Sequence, residues 1–239
     1  MKKTFLKAEW KKLLMINYSV DRKLLEPYIP YKTELDIRNG TCYVSLIGFM
    51  FLNTKVKNLK IPLHVNFEEV NLRFYVRHKD QLTGEWKRGV VFIKELVPKA
   101  ALTFIANKIY GEHYETLPMS HSWNSKDDIL TVEYSWKKSG EKNSIKVITN
   151  TELLEIENGS EEEFITEHYW GYTKIDDNTT SEYGVEHPRW KVYKTLEYEI
   201  NVNFKTTYGN EFGFLKSEKP ASVFLAEGSE IIVKEGGKI

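Results

Sequence analysis

Residues 69–77 read EVNLRFYVR and alternate strictly between two kinds of side chain. On one face of an extended chain lie Val70, Leu72, Phe74 and Val76, and on the other lie Glu69, Asn71, Arg73 and Tyr75. This period of two predicts a β-strand with one apolar and one polar face. A second run, Trp86 to Leu96, follows a turn around Thr83-Gly84 and predicts an antiparallel partner strand.

Strand-like runs recur along the chain and are separated by polar turns. They occupy residues 11–18, 42–51, 130–137, 144–150, 191–204 and 222–226. Pro98, followed by apolar residues at helical spacing up to Gly111, predicts one long helix, and the segment Asp21 to Tyr28 predicts a short one. Because 239 residues can form one β-rich domain, we expect a single domain over residues 1–239. Its class is mainly β (α+β), with one long helix and short helical segments.

Composition argues against several classes of protein. Lysine plus arginine number 34 and aspartate plus glutamate number 34, so no net charge favours nucleic acid or an anionic membrane. Cys42 is the only cysteine, which excludes an internal disulfide and favours a reducing compartment. The amino terminus carries too many charges for a signal peptide, and no apolar run has the length of a membrane span. We therefore expect a cytoplasmic protein without a nucleic-acid or membrane partner.

The polar face of residues 69–75 is the first candidate site. A carboxylate, an amide, a guanidinium and a phenol on one strand face can line a barrel interior and orient a polar ligand. If this face points inward, Glu69 and Arg73 are expected to make a charge-assisted contact. The same pattern also fits a strand whose charges face solvent, and the sequence leaves both orientations open.

Two later segments place a histidine beside a carboxylate and an aromatic residue. They are EHYWGY at residues 167–172 and EHPRW at residues 186–190. Such groups suit proton transfer, anion capture or stacking, although a purely structural pair of aromatic strands has the same composition. His168 is a candidate acid or base. The candidate ligand contacts in these segments are Tyr172, His187, Arg189 and Trp190.

Motifs for common cofactors are missing from the sequence. No HxH or HxxxH spacing fixes two metal ligands on one element, so we expect no metal site. There is no Gly-x-Ser-x-Gly elbow, P-loop or GxGxxG either, which removes support for serine hydrolases, nucleotide hydrolases and dinucleotide enzymes. We expect no cofactor.

Several segments together resemble a known family across most of the chain. They are Phe5-Leu6-Lys7-Ala8-Glu9-Trp10, Leu24 to Pro30, Tyr43-Val44-Ser45-Leu46, Phe67 to Arg77, Arg88 to Glu95, Tyr110 to Met119, His168 to Thr173 and Glu186 to Trp190. The resemblance is to the bacterial YqjF-like proteins, the domain of unknown function numbered 2071. That family is more distantly similar to acetoacetate decarboxylase. The resemblance implies an antiparallel, cone-like β-barrel whose interior pocket receives the Glu69 face.

The resemblance also bears on catalysis. In the decarboxylase, a lysine that follows an aromatic-proline pair forms a Schiff base with a keto acid, and a glutamate lies nearby. Glu69 resembles that glutamate, Leu117-Pro118 resembles the pair, and Met119 stands where the lysine is expected. Because a thioether cannot condense with a ketone, the resemblance implies a ligand contact at Met119 and no decarboxylase activity. Lys94 is the alternative source of an amine.

Three functions follow as hypotheses. The first is a pocket that binds a small, partly apolar molecule bearing a carboxylate or carbonyl, without turnover. The second is a lysine-independent enzyme of lyase or hydrolase type that uses Glu69 or His168 as acid or base and acts on a small organic acid. The third is an interaction protein whose aromatic segments form a homodimer interface.

Overall fold

The computed structural model describes residues 3–100 and 113–239. Most of the helix predicted between Pro98 and Gly111 falls on residues 101–111, which lie outside the described residues. The described strands are β1 (Thr4–Val20), β2 (Thr33–Leu35), β3 (Cys42–Val56), β4 (Phe67–Lys79), β5 (Trp86–Val97), β6 (Tyr114–Thr116), β7 (Met119–Lys126), β8 (Ile129–Lys138), β9 (Glu141–Glu155), β10 (Trp170–Asp176), β11 (Thr179–Glu186), β12 (Lys191–Asn201), β13 (Ser222–Lys234) and β14 (Gly237–Lys238). The described helices are α1 (Arg22–Leu25), α2 (Glu161–Thr166) and α3 (Phe204–Tyr208), with 3-10 turns at Glu26–Tyr28 and Asn210–Lys216.

The described strands belong to one sheet. Neighbours follow the order β14-β11-β10-β5-β4-β3-β1-β13-β12-β9-β8-β7, while β2 joins β4 and β6 joins β5. Strand β11 also pairs with β13, through Val185 with Val233 and Glu186 with Ile232, so this part of the sheet curls back on itself. The predicted mainly β, barrel-like fold is confirmed. The sheet is mixed, however, because β10 and β6 each run parallel to β5.

Strand β4 is buried on both faces. Its even-numbered residues, Val70 to Val76, share an apolar core with Tyr134 of β8 and Phe204 of α3. Its odd-numbered residues face a second core, which contains Phe49 and Trp190. The polar face predicted from the sequence is therefore covered by protein: the exposed fraction is 2% for Glu69, 1% for Asn71, 8% for Arg73 and 2% for Tyr75.

Strands β1 and β13 approach each other unusually closely at a bulge. The register of β1 against β3 shifts between Lys11 and Leu14, and Lys12 adopts a φ of 54°. Opposite Lys11 on β13 stands Gly228, whose φ is 79°. A Cβ atom at Gly228 would lie 2.0 Å from the backbone oxygen of Trp10. Only glycine fits this position, because it tolerates the positive φ and leaves room for the neighbouring strand.

The described helices are all short. Not one of them combines the length and the apolar character that crossing a membrane requires.

Candidate functional site

A cavity of about 180 Å³ lies inside the curled part of the sheet. Its wall is formed by residues of β1, β3, β4, β5, β10 and β11 and is largely aromatic, with Trp10, Phe49, Phe51, Phe67, Phe92 and Trp170. Its polar residues include Glu69, Asn71, Arg73, Glu95 and His168. An apolar cavity with a few convergent polar groups is the usual form of a small-molecule site.

Hydrogen bonds hold Glu69 in place. The Asn71 side chain, two positions along β4 and on the same face, donates from Nδ2 to Glu69 Oε1 at 2.9 Å. The Tyr114 hydroxyl of β6 donates to Glu69 Oε2 at 3.3 Å. The side-chain oxygen of Asn71 is buried and has no hydrogen-bond partner among the described residues.

Arg73 is a buried cation without a counter-ion among the described residues. Its guanidinium forms no ion pair and no hydrogen bond with them, and its Nε is among the buried unpaired atoms. The guanidinium carbon lies 5.7 Å from the centroid of the Tyr75 ring. The expected contact between Glu69 and Arg73 is absent, because four residues of a strand span about 13 Å. Glu69 instead accepts a hydrogen bond from Asn71, which lies between them.

His168 connects the cavity to a buried ion pair. It follows the end of helix α2 and packs between the rings of Tyr75 and Phe164, at centroid distances of 4.6 and 5.2 Å. Its Nε2 lies 3.1 Å from Asp36 Oδ2, an oxygen that also accepts from Arg88 Nε at 2.6 Å. The other ring nitrogen, Nδ1, has no hydrogen-bond partner within residues 3–100 and 113–239.

Burial sets the protonation state of this group. Removal from water lowers the pKa of His168 to about 4, although the hydrogen bond with Asp36 opposes the shift. Burial also opposes ionisation of Asp36, but the hydrogen bonds from His168 and Arg88 outweigh it and hold the pKa of that carboxyl below its ordinary 3.8. At neutral pH the imidazole is therefore neutral and the carboxylate charged.

Six of the predicted site residues lie outside the cavity wall. Tyr75 is buried beside it and shares a hydrogen bond of 2.7 Å with Ser45, and the Tyr172 hydroxyl donates to the backbone oxygen of Lys87. Met119 opens β7 and is half-buried opposite Trp136.

The other three of these residues form a small cluster near the end of β11. His187 stacks on Trp190 at 4.2 Å, and Arg189 donates to Glu163 at 2.7 Å. Trp190 is 3% exposed, and Tyr169 and Trp170 are half-buried. These aromatic side chains pack largely within the chain.

Lys94 lies on the opposite face of β5 from the cavity. Its Nζ donates to the backbone oxygen of Thr207 at 2.7 Å and lies 3.4 Å from Glu115 Oε2. Within residues 3–100 and 113–239, the cavity wall contains no lysine.

Sodium borohydride in the presence of acetoacetate is expected to leave the mass of the protein unchanged. Schiff-base formation needs an amine in the cavity, and the wall formed by the described residues contains no lysine. Intact-protein mass spectrometry gives the readout, and treatment without acetoacetate gives the control. An acetoacetate-derived adduct on a lysine would contradict this expectation.

Sequence reasoning missed several members of the site. Glu95 stands directly across from Asn71 in the β4–β5 register, but this register shifts between Leu72 and Arg73, so simple pairing of the two predicted strands would have placed Lys94 there instead. Asp36 and Arg88 reach His168 from positions 132 and 80 residues away, and no local pattern indicates such contacts.

Comparison with known proteins identifies the family and the fold. The family described as DUF2071, Uncharacterized conserved protein, matches residues 7–230. The uncharacterized protein YqjF of Bacillus subtilis (strain 168) is 25% identical over 205 residues, which cover 84% of this chain and 80% of YqjF.

Two solved structures illustrate the likeness of fold. Acetoacetate decarboxylase from Legionella pneumophila superposes with a TM-score of 0.66 at 12% identity, over 99% of this chain and 88% of that protein. The enduracididine biosynthesis enzyme MppR, in complex with pyruvate, superposes with a TM-score of 0.65 at 10% identity, over 100% of this chain and 91% of MppR. At these identities the likeness concerns the fold alone. Because the family match spans nearly the whole chain, this protein belongs to the DUF2071 family and has an acetoacetate decarboxylase-like fold.

Proposed function

We propose that the cavity binds a small organic acid, with its carboxylate on Arg73 and its apolar part against the aromatic wall. The observation that carries this proposal is the Arg73 guanidinium, which is buried, lines the cavity and has no ion pair or hydrogen bond in the described part of the chain.

An unpaired buried charge is costly, so its presence needs a compensating role. Taking an ion out of water costs several kcal/mol even after relaxation of the protein. A carboxylate is the natural partner of a guanidinium, because two parallel N–H···O bonds match its geometry. MppR, which shares the fold, is a protein whose structure holds pyruvate, a small carboxylate.

The rest of the cavity suits an apolar body. The wall is dominated by aromatic rings, and its volume is about 180 Å³. An engineered apolar cavity of about 150 Å³ is known to bind benzene, so a ring of that size fits here. Phenylacetate combines such a ring with a carboxylate and is a suitable probe.

Replacement of Arg73 by methionine is expected to weaken phenylacetate binding by about 50-fold, because the ligand carboxylate would then be buried without a partner. Isothermal titration calorimetry at pH 7 measures the effect. The matched control is Arg77→Met, since Arg77 lies on the same strand, pairs with Glu34 and is outside the cavity wall. Equal affinity in the wild-type and Arg73→Met proteins would contradict the proposal, as would failure of the wild-type protein to bind organic acids.

The stability of the same variant separates binding from folding. Loss of an unpaired buried charge should leave the melting temperature of Arg73→Met unchanged or raised. A weakened affinity in a fully folded variant therefore reports on the site itself.

Acid–base catalysis on the bound acid is a second candidate function. It is favoured by the presence of Glu69 and His168 in the wall of one cavity, with the imidazole neutral at pH 7. Glu69→Gln should then abolish turnover of a bound acid while its affinity is kept. Binding without any chemical change in the wild-type protein would leave only the first function.

A further inference from the structure

Unpaired polar atoms accompany Arg73 in the described part of the cavity wall. The side-chain oxygen of Asn71 and Nδ1 of His168 are acceptors without a partner there, and Nε1 of Trp10 is a donor without one. Asn71 is 1% exposed, and the side chain of His168 is 1% exposed. Buried polar atoms are nearly always paired, so unpaired atoms around one cavity need an explanation.

The chemistry of the Asn71 oxygen is fixed by its neighbour. Its Nδ2 donates to Glu69 Oε1 at 2.9 Å, and a flipped amide would instead set two oxygens against each other. Asn71 therefore presents its oxygen, which can only accept a hydrogen bond, as the unpaired atom.

The chemistry of His168 is fixed in the same way. Its Nε2 lies 3.1 Å from Asp36 Oδ2, and a carboxylate oxygen can only accept, so the single proton of the neutral ring belongs on Nε2. Arg88 Nη2 lies 3.3 Å from the same nitrogen, while Arg88 Nε already donates to Asp36. Nδ1 is left with a lone pair and accepts.

A ligand that satisfies the cavity must therefore supply a donor as well as a carboxylate. The oxygen of a 2-oxo group can only accept a hydrogen bond, for example from Trp10 Nε1, whereas a hydroxyl on the carbon next to the carboxylate both accepts and supplies the donor beside the group that binds Arg73. We infer that the cavity selects a 2-hydroxy acid with an apolar side chain over the corresponding 2-oxo acid. This inference rests on the proposed binding of an organic acid, and it makes Asn71 and His168 the specificity-determining residues.

Three acids of one skeleton test the inference directly: phenylacetate, mandelate and benzoylformate, which carry hydrogen, hydroxyl and oxo groups at the same carbon. Each enantiomer of mandelate is titrated separately by calorimetry at pH 7. The better enantiomer is expected to bind about ten-fold more tightly than benzoylformate, because only the hydroxyl pairs a buried acceptor. Benzoylformate binding as tightly as mandelate, or more tightly, would overturn the inference and leave the proposed function standing. Absence of binding by all three acids would overturn both.

A variant assigns the effect to its atom. His168→Phe keeps an aromatic ring between Tyr75 and Phe164 and leaves Asp36 paired with Arg88. Its preference for mandelate over benzoylformate should be smaller than that of the wild-type protein. His187→Phe is the matched control, because His187 is half-buried and outside the cavity wall, and its preference should stay as in the wild type.

An undiminished preference in a folded His168→Phe protein would overturn the role of His168. Circular dichroism at pH 7 establishes whether the variant is folded. If it is not, the wild-type series with the three acids decides the inference by itself.

Discussion

The free energy of unfolding should decrease by roughly 3 kcal/mol between pH 7 and pH 4 because of His168 alone. Its pKa is about 4 in the folded protein and 6.5 when exposed. The unfolded chain therefore takes up a proton at a pH where the folded protein does not, which favours unfolding. The stability is complete above pH 6.5 and is lost as the pH falls towards 4.

Urea denaturation at several pH values between 7 and 4 measures this slope. In His168→Phe the histidine contribution should vanish, so the unfolding free energy should vary much less over the interval. His64→Phe serves as control, since His64 is only half-buried and its replacement should preserve the wild-type dependence of the unfolding free energy on pH. Asp36 changes the free energy of unfolding in a separate pH range, below pH 4, because its pKa is lowered from 3.8. If the free energy of unfolding depended on pH identically in the wild-type and His168→Phe proteins, burial would not lower the pKa of His168 as we infer.

Gly228→Ala is expected to cost roughly 4 kcal/mol of stability, the largest effect we predict for one added methyl group. Two penalties combine. A non-glycine residue at a φ of 79° is strained, and the new Cβ would lie 2.0 Å from the backbone oxygen of Trp10. That oxygen belongs to the neighbouring strand β1, so relief requires the central part of the sheet to move.

Gly84→Ala provides a control with nearly the same backbone. Its φ is 75°, and among the described residues beyond its two chain neighbours no atom lies within 4 Å of the position that a Cβ would take. Only the strain of the positive φ remains, which corresponds to about 1 kcal/mol. Chemical denaturation at pH 7 compares the two variants, and equal losses would show that the close approach of β1 and β13 contributes nothing.

The sequence predicts where the strands lie better than it predicts which segments pack against them. The alternation over residues 69–77 correctly gave a strand, and Trp86 to Leu96 correctly gave its antiparallel partner. The alternation also divided the side chains into the two sets that the structure separates. It could not reveal that both faces are covered, because the residues that share a core with Leu72, such as Val132 and Val147, lie far along the chain.

The candidate site shows the same limit. Glu69, Asn71, Arg73 and His168 were identified from residue type and local pattern, and all four line the cavity. Tyr172 and Trp190 were chosen on the same grounds but are buried outside the cavity wall, because an aromatic residue beside a histidine fits a packed core equally well. The pairing of His168 with Asp36 depends on contacts between distant segments, which no local pattern encodes.

The two-sided burial of β4 has a consequence for the newly made chain. When the β4 segment leaves the ribosome, its valine, leucine and phenylalanine side chains are exposed to solvent, because β8 and β9 have not yet been synthesised. Uncharged apolar segments of this kind tend to self-associate, and interspersed charges suppress that tendency. Glu69, Arg73 and Arg77 interrupt the apolar residues at regular intervals. Glu69 and Arg73, the two of these side chains that line the cavity, would thus help to protect the nascent polypeptide from aggregation before the cavity has formed.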